Sequence, residues 1–271
     1  MRFQDRTVLI TGGSLGVGRA CARAFFAEGA NVVLVARRLE PLQALADELG
    51  DPARVLVAAV DVSDLAALGE LVEQAVERFG GLHGLVNNAG AHFRGPVATR
   101  NADELATMVD VNLRAPIALS RLALPHLQKD GGFVVNVASL AGKIPLDGAA
   151  TYSATKFGLR AFSFAMAQEL AGSGVTVSAV SPGPIETGFI LDELDEVENV
   201  VFSQTLCSAE FVAGMVLDCA QDGRRERAFP VFGGKLATTG YLLPWLRRLM
   251  KPALERKGAR AKERLRARMR G

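Results

Sequence analysis

The chain has 271 residues, a formal net charge of +2, 49% hydrophobic and 22% charged residues, a composition that excludes disordered and fibrous classes and permits a large buried core. Three cysteines, Cys21, Cys207 and Cys219, are too few and too scattered for a disulfide framework or a zinc site, and read as reduced thiols. No uncharged run approaches the ~18 residues of a membrane span, and the first residues enter a strand pattern without an apolar leader, so a cytoplasmic setting is expected.

Short β-branched runs alternate with longer amphipathic stretches. Strands are predicted at Thr7–Thr11, Asn31–Ala36, Arg54–Val60, Gly84–Asn87, Gly132–Val137, Val175–Val180 and Ala228–Val231. They lack polar alternation, so both faces should be covered. Helices are predicted at 17–29, 39–49, 64–79, 103–128, 150–171 and 208–221, with Ser63 and Asn101 in N-cap regions and Gly29, Gly50, Gly80 and Gly172 as stops. This alternation implies an α/β fold: a doubly wound, Rossmann-type parallel sheet of about seven strands with helices on both faces. Residues 1–240 read as one catalytic domain holding cofactor and substrate sites together, and 241–271 as a basic amphipathic C-terminal extension.

The first strand runs into Thr11-Gly12-Gly13-Ser14-Leu15-Gly16-Val17-Gly18 and then a helix. Gly12 permits a tight turn, Gly16 a close approach of backbone to a pyrophosphate, and Gly18 close packing of helix on strand. The helix N-terminus offers N–H groups and a positive dipole end to phosphates. The same residues fit the G-x-S-x-G elbow of hydrolases. That reading fails, because only eleven residues precede Gly12 and the last histidine is His126, too early to complete a triad. The second strand ends Ala36-Arg37-Arg38. An acid there would bind ribose hydroxyls and repel a 2′-phosphate, whereas two guanidiniums suit that phosphate. NADP(H) is therefore the preferred cofactor, with NAD(H) left open and two solvated arginines as the plain alternative. Asp61-Val62 ends the third strand and could meet an adenine amino group, or simply start a helix. Asn87-Asn88-Ala89-Gly90 ends the fourth, and suits a crowded contact with adenosine or an ordinary turn.

Tyr152 and Lys156 stand four apart on one face of a predicted helix. A free phenol titrates near pH 10, and a neighbouring ammonium, joined by oxidised nicotinamide, would lower that value towards a working proton shuttle. Ser139 follows the fifth strand, where its hydroxyl could bond a substrate oxygen or cap a turn. Asn112 lies inside the long predicted helix 103–128, where Asn has poor propensity, and could hold a water beside Lys156. Ser153 and Lys156 also match S-x-x-K, but the companion motifs of penicillin-binding hydrolases are absent.

Taken in order, TGGSLGVG (11–18), Asp61-Val62, NNAG (87–90), Asn112, Ser139, YSATK (152–156) and Pro182-Gly183 followed by Thr187 resemble the short-chain dehydrogenase/reductase family over about residues 5–235. The resemblance implies hydride transfer between a nicotinamide and a carbonyl or alcohol. Tyr152 would be the general acid or base, Lys156 would lower its pKa and bind the nicotinamide ribose, Ser139 would orient the carbonyl, and Asn112 would anchor a water relay. It also implies cofactor contacts from Thr11, Gly12, Ser14, Leu15, Gly16, Gly18, Arg37, Arg38, Asp61, Val62, Asn88, Ala89 and Gly90. Tyr152, Lys156, Pro182, Gly183, Ile185 and Thr187 complete that set. No metal is required, and a homo-dimer or homo-tetramer is expected. Many NADP(H)-using relatives carry a basic residue at the position of Leu15; this chain does not, so the phosphate reading leans on Arg37 and Arg38. A catalytically silent nucleotide-sensing module is the alternative class, against which the intact Asn112, Ser139, Tyr152 and Lys156 argue.

Specificity is expected from His92–Val97, Gly142–Ala150 and Ile185–Gln204. The last holds Phe189, Ile190, Leu191, Leu194, Val197, Val200, Val201 and Phe202, which suit a bulky or apolar substrate or pack against the body or a partner subunit. His92 could touch substrate, or be an ordinary loop histidine, the preferred reading. Residues 241–271 hold eleven Lys/Arg and two Glu, whereas the other 240 residues carry a net −7. Leu242, Trp245, Leu246 and Leu249 form a helical apolar stripe, Pro252 is expected to interrupt it, and Arg256–Arg270 continues as a basic stretch. That tail could dock on the body or a second copy, could lie on the inner face of an anionic membrane as part of a lipid ketone reductase, or could bind nucleic acid, the least favoured of the three.

Overall fold

A computed structural model describes residues 1–270. Seven strands, β1 Thr7–Thr11, β2 Asn31–Ala36, β3 Val55–Ala59, β4 Gly84–Asn87, β5 Phe133–Val137, β6 Thr176–Pro182 and β7 Glu226–Phe229, form one parallel sheet in the order β3-β2-β1-β4-β5-β6-β7. Helices α1 Gly16–Ala27, α2 Leu39–Leu49 and α8 Ala209–Asp222 cover one face; α3 Leu65–Phe79, α5 Ala115–Leu127 and α6 Ala150–Glu169 cover the other. Alternate residues of one strand feed the two cores: Val8 and Ile10 face α1, and Leu9 faces α3. This is the doubly wound sheet expected from the unbroken apolar runs. The order reverses beside β1, where β4 takes the other edge, and a crevice opens beyond the carboxyl ends of the strands.

Four local expectations are corrected. The stretch 103–128 is not one helix: α4 Ala102–Val109 passes through a widened π turn, Asp110–Arg114, into α5. The cap of α3 is Asp64, whose carboxylate accepts from Ala66 and Ala67 N–H, rather than Ser63. The seventh strand ends at Phe229, and the chain continues as α9 Val231–Leu242. Gly233, Gly234 and Gly240 hid that helix from propensity reasoning. They lie where it packs closely on the body, so that a Cβ at Gly240 would sit 3.2 Å from the Ile144 side chain. Finally, Pro252 does not end the tail helix, since α10 runs unbroken over Pro244–Arg270. Pro252 and Arg248, whose carbonyl loses its helical donor, are both exposed, so water can replace that bond. Of the short segments, α7 Gly188–Leu191 and a 3₁₀ turn Asn199–Ser203 lie over the crevice.

Candidate active site

Between β1 and α1 the backbone enters the left-handed region at Gly12 (φ 67°) and Gly16 (φ 51°). A Cβ at Gly18 would overlap the Gly12 carbonyl oxygen, so α1 packs directly on its own turn. Leu15 is the N-cap residue and gives no side-chain cap, and the first turn of α1 holds no acid. Its N–H groups and positive dipole end therefore face the crevice uncompensated. A Cβ at Gly16 would come within 3.3 Å of the Thr187 methyl, so the glycine turn and the loop after β6 oppose each other across the cleft.

The turn is held from below. Thr11 Oγ1 accepts from the backbone N–H groups of Asn88 and Ala89, each at 3.0 Å, and the Asn88 amide donates to the carbonyls of Thr11 (3.0 Å) and Gly12 (3.3 Å). The side chains of Thr11 and Asn88 thus bond to the protein and shape the turn, and Gly12, Ser14, Leu15, Gly16, Asn88, Ala89 and Gly90 line the cleft. A buried relay continues beneath: Asn87 donates to Asn136 Oδ1 (2.8 Å), and Asn136 donates to Ser163 Oγ (2.9 Å), tying β4 to β5 and α6.

Arg37 and Arg38 emerge exposed at the end of β2, line the cleft, and pair with no carboxylate among the described residues. Nearby, the Ser63 backbone N–H (2.9 Å), its hydroxyl (2.8 Å) and the charge of Arg37 hold the Asp61 carboxyl below its ordinary range, against burial. Val62 is buried at the same edge. Pro182, Gly183, Ile185 and Thr187 line the opposite wall, with Gly183 N–H donating to Phe229 O at 2.7 Å.

The π turn carries Asn112 inward, fully buried. Its Oδ1 accepts from Ala91 N–H (2.8 Å), and its Nδ2 donates to Ala91 O (2.9 Å) and Thr155 Oγ1 (3.2 Å). The side chain thereby clamps the chain after β4 to α6. Ser139 follows β5; its Oγ accepts from Ala141 N–H at 3.1 Å, leaving its proton for the cleft. Lys156, buried, donates to Val137 O at 2.9 Å, and burial lowers its pKa to about 8. Its ammonium stands 5.7 Å from the Tyr152 ring centroid. In the protein alone burial raises the Tyr152 pKa, and the opposing pull of the Ser139 hydroxyl and the Arg94 charge is smaller.

One neighbour escaped sequence reasoning. His92 stacks on Tyr152 with ring centroids 4.1 Å apart and planes 12° from parallel. Burial, then the charges of Arg94 and Lys156, lower its pKa to about 3, so the imidazole is a neutral plate against the phenol. Phe189 closes the other approach at 6.3 Å. Only the position of His92, in a loop marked as a specificity segment, could have hinted at this.

These groups share one cleft of about 1350 Å³ that runs from the glycine turn to α10. The lid residues divide. Phe189, Val197, Val200 and Val201 line the cleft, whereas Leu194 and Phe202 join Ile190, Val197 and Leu265 of α10 in a small core of their own. The distal, basic half of the tail docks on the lid. A Cβ at Gly258 would overlap the Asn199 carbonyl oxygen, so helix backbone lies directly on the 3₁₀ turn. Buried Lys262 donates to the carbonyls of Val197 (2.8 Å) and Asp195 (3.2 Å), Arg266 pairs with Asp195, and Arg268 meets Glu186 at 2.7 Å. Leu246, Met250 and Leu254 form the cleft wall, and Lys251 anchors it to Asp147 at 2.6 Å. Behind the catalytic group, Glu226 of β7 binds Lys143 (2.8 Å), Arg160 (2.8 Å) and Ser181 (2.8 Å), joining the Ser139 loop, α6 and β6.

Residues 6–197 match the family model described as short chain dehydrogenase. Among curated proteins, meso-2,3-butanediol dehydrogenase of Serratia marcescens is 33% identical over 247 residues, covering 89% of this chain and 98% of that protein. An uncharacterised oxidoreductase of Staphylococcus epidermidis is 32% identical over 69% of this chain and 80% of its own length. Among solved structures, a short-chain dehydrogenase/reductase from Brucella melitensis, described as a glucose/ribitol dehydrogenase, superposes with a TM-score of 0.78 at 30% identity, covering 84% of this chain and 97% of that one. A short chain dehydrogenase from Burkholderia cenocepacia in complex with NADP superposes with a TM-score of 0.77 at 29% identity over the same shares.

Proposed function

We propose that this chain, which belongs to the short-chain dehydrogenase/reductase family, is an NADP(H)-dependent oxidoreductase that interconverts a bulky, apolar ketone and its alcohol. The observation that carries the reading is the convergence of Ser139, Tyr152 and Lys156 on the cleft into which the uncapped end of α1 opens. The residues present fit the cofactor. A helix N-terminus without an acid suits the pyrophosphate, the bare Cα of Gly16 leaves a cradle that a Cβ would fill, and two unpaired guanidiniums at the end of β2 suit a 2′-phosphate. When bound, the nicotinamide supplies the hydride.

The protein supplies position and a proton. Lys156, held by Val137 O, keeps its remaining N–H donors for ribose hydroxyls. Ser139 directs its hydroxyl proton at the substrate oxygen. Tyr152 delivers its phenolic proton to the same atom, and a pKa raised by burial keeps that proton in place at neutral pH. His92 and Phe189 flank the ring and keep bulk water from it. The valines of the lid and the apolar residues of α10 favour an extended apolar substrate. Family membership supports assembly as a dimer or tetramer, which sedimentation checks.

Turnover of a ketone series of increasing apolar size, measured with NADPH and with NADH, tests the reading. The expected result is faster turnover with NADPH and a KM that falls with apolar size. Equal rates with the two cofactors refute the phosphate preference, and a flat KM refutes the apolar substrate.

A further inference from the structure

Where α9 meets α10, Leu242, Leu243, Trp245 and Leu249 are 69%, 41%, 63% and 72% exposed. Single exposed apolar residues are ordinary, but four within a few turns form a patch that calls for a partner. At about 100° per residue, Trp245, Leu249, Arg256 and Arg260 fall within an arc of about 60° on α10, so one stripe passes from apolar to cationic along ~22 Å of helix. Arg248 and Arg264 flank it. None of these four arginines pairs with a carboxylate among the described residues, whereas Arg247, Lys251, Arg266 and Arg268 of the same helix do. Glu263 is the single carboxylate on the arc. The opposite face is committed, with Met250 and Leu254 on the cleft and Gly258 and Lys262 on the lid.

We propose that this outer stripe seats the protein on an anionic lipid surface, with Trp245 and Leu249 at the acyl boundary and the arginines on headgroup phosphates. The charge distribution favours this occupant. Residues 241–271 carry eleven basic and two acidic groups, while the rest of the chain is net −7. An anionic surface therefore attracts the tail, repels the body and fixes the orientation. A two-fold contact with a second copy through the same stripe would set arginines against arginines if parallel or against Trp245 and Leu249 if antiparallel, and in neither case supplies the anions that four arginines need. Nucleic acid would use the cations and leave the tryptophan and leucines unspent. Seated this way, one helix thickness, about 10 Å, separates the lipid from the substrate end of the cleft. The docking surface stands independently of the cofactor and substrate assigned above.

Trp245 is the sole tryptophan, so its fluorescence in the full chain reports the site without a label. Vesicles of phosphatidylcholine mixed with phosphatidylglycerol are expected to shift its emission to the blue at low salt, with quenching by brominated lipid and reversal at high salt. Pure phosphatidylcholine is expected to have no effect. Arg256→Gln with Arg260→Gln should weaken partitioning about 25-fold, at about fivefold per cation. Leu249→Asp should abolish the shift. Both variants should turn over a water-soluble ketone as the parent does. The proposal is overturned if anionic vesicles leave the emission unchanged, if neutral vesicles act equally, if duplex DNA produces the response instead, or if Leu249→Asp splits an oligomer while the vesicle response persists. Turnover without vesicle binding sinks the surface and spares the activity; vesicle binding without turnover does the reverse.

Discussion

The cofactor end of the cleft consists of turns bonded to their own neighbours in the sheet, such as Thr11 to Asn88 and Ala89. The substrate end consists of a lid held by a helix from the far end of the chain, such as Val197 by Lys262. At the first, both partners stand at the ends of β1 and β4, which the sheet pairs directly although they lie 77 residues apart in sequence. At the second, Lys262 belongs to a helix that no strand holds, so the lid can change without disturbing the first. Function is therefore expected to separate along the same line, with cofactor affinity and proton transfer at one end and substrate affinity at the other.

The largest test lies where the two ends meet. Tyr152→Phe keeps the ring stacked on His92 and removes only the proton, so turnover should fall by a factor of about 10² to 10⁴, with NADPH affinity unchanged by fluorescence titration. Retained turnover would remove Tyr152 from the chemistry. Next comes the cofactor end alone. Arg37→Asp deletes a charge-assisted contact worth ~1.5–3 kcal/mol and adds repulsion, so kcat/KM with NADPH should drop tenfold or more relative to NADH; parallel losses with both would show that Arg37 touches no phosphate. At the substrate end, Gly258→Val forces α10 away from Asn199. KM for ketone should rise about tenfold, the equivalent of ~1.4 kcal/mol, while the Kd for NADPH stays put. If both constants move together, the two ends are one unit and the comparison fails. The smallest effect is a pH dependence. Lys156 has its pKa lowered to about 8; below that value it is charged and competent, and above it the ammonium is lost. Reductive kcat/KM should hold through neutrality and decline severalfold above about pH 8; a profile flat into the range of a free phenol would assign the ribose contact elsewhere.

The same division governs what could be read in advance. The strands were legible because uninterrupted runs such as Asn31–Ala36 admit few other placements in a covered sheet, and the glycine turn because Gly12, Gly16 and Gly18 answer local backbone demands. Tyr152 and Lys156 were legible through helical spacing, and the cleft does bring them together with Ser139. The protein partners of Asn112 and Asn88 were not legible, since an amide can serve a ligand or a backbone equally well and only the fold decides. Three features were hidden because they answer distant neighbours: α9 among its glycines, α10 continuing through Pro252, and His92 against Tyr152. The pKa of Tyr152 belongs with them. Spacing showed the neighbouring ammonium but not the burial that raises it.

The grip of α10 on the lid also has a consequence in time. A ribosome releases this chain from its N-terminus at roughly 5–20 residues per second, so β1 to β5 and the glycine turn can assemble while 244–270 are still unmade. The nascent protein acquires a place for its cofactor before it acquires a finished pocket for its substrate. A protease that trims the last helix is expected to leave the sheet and the glycine turn in place and to undo the grip on the lid.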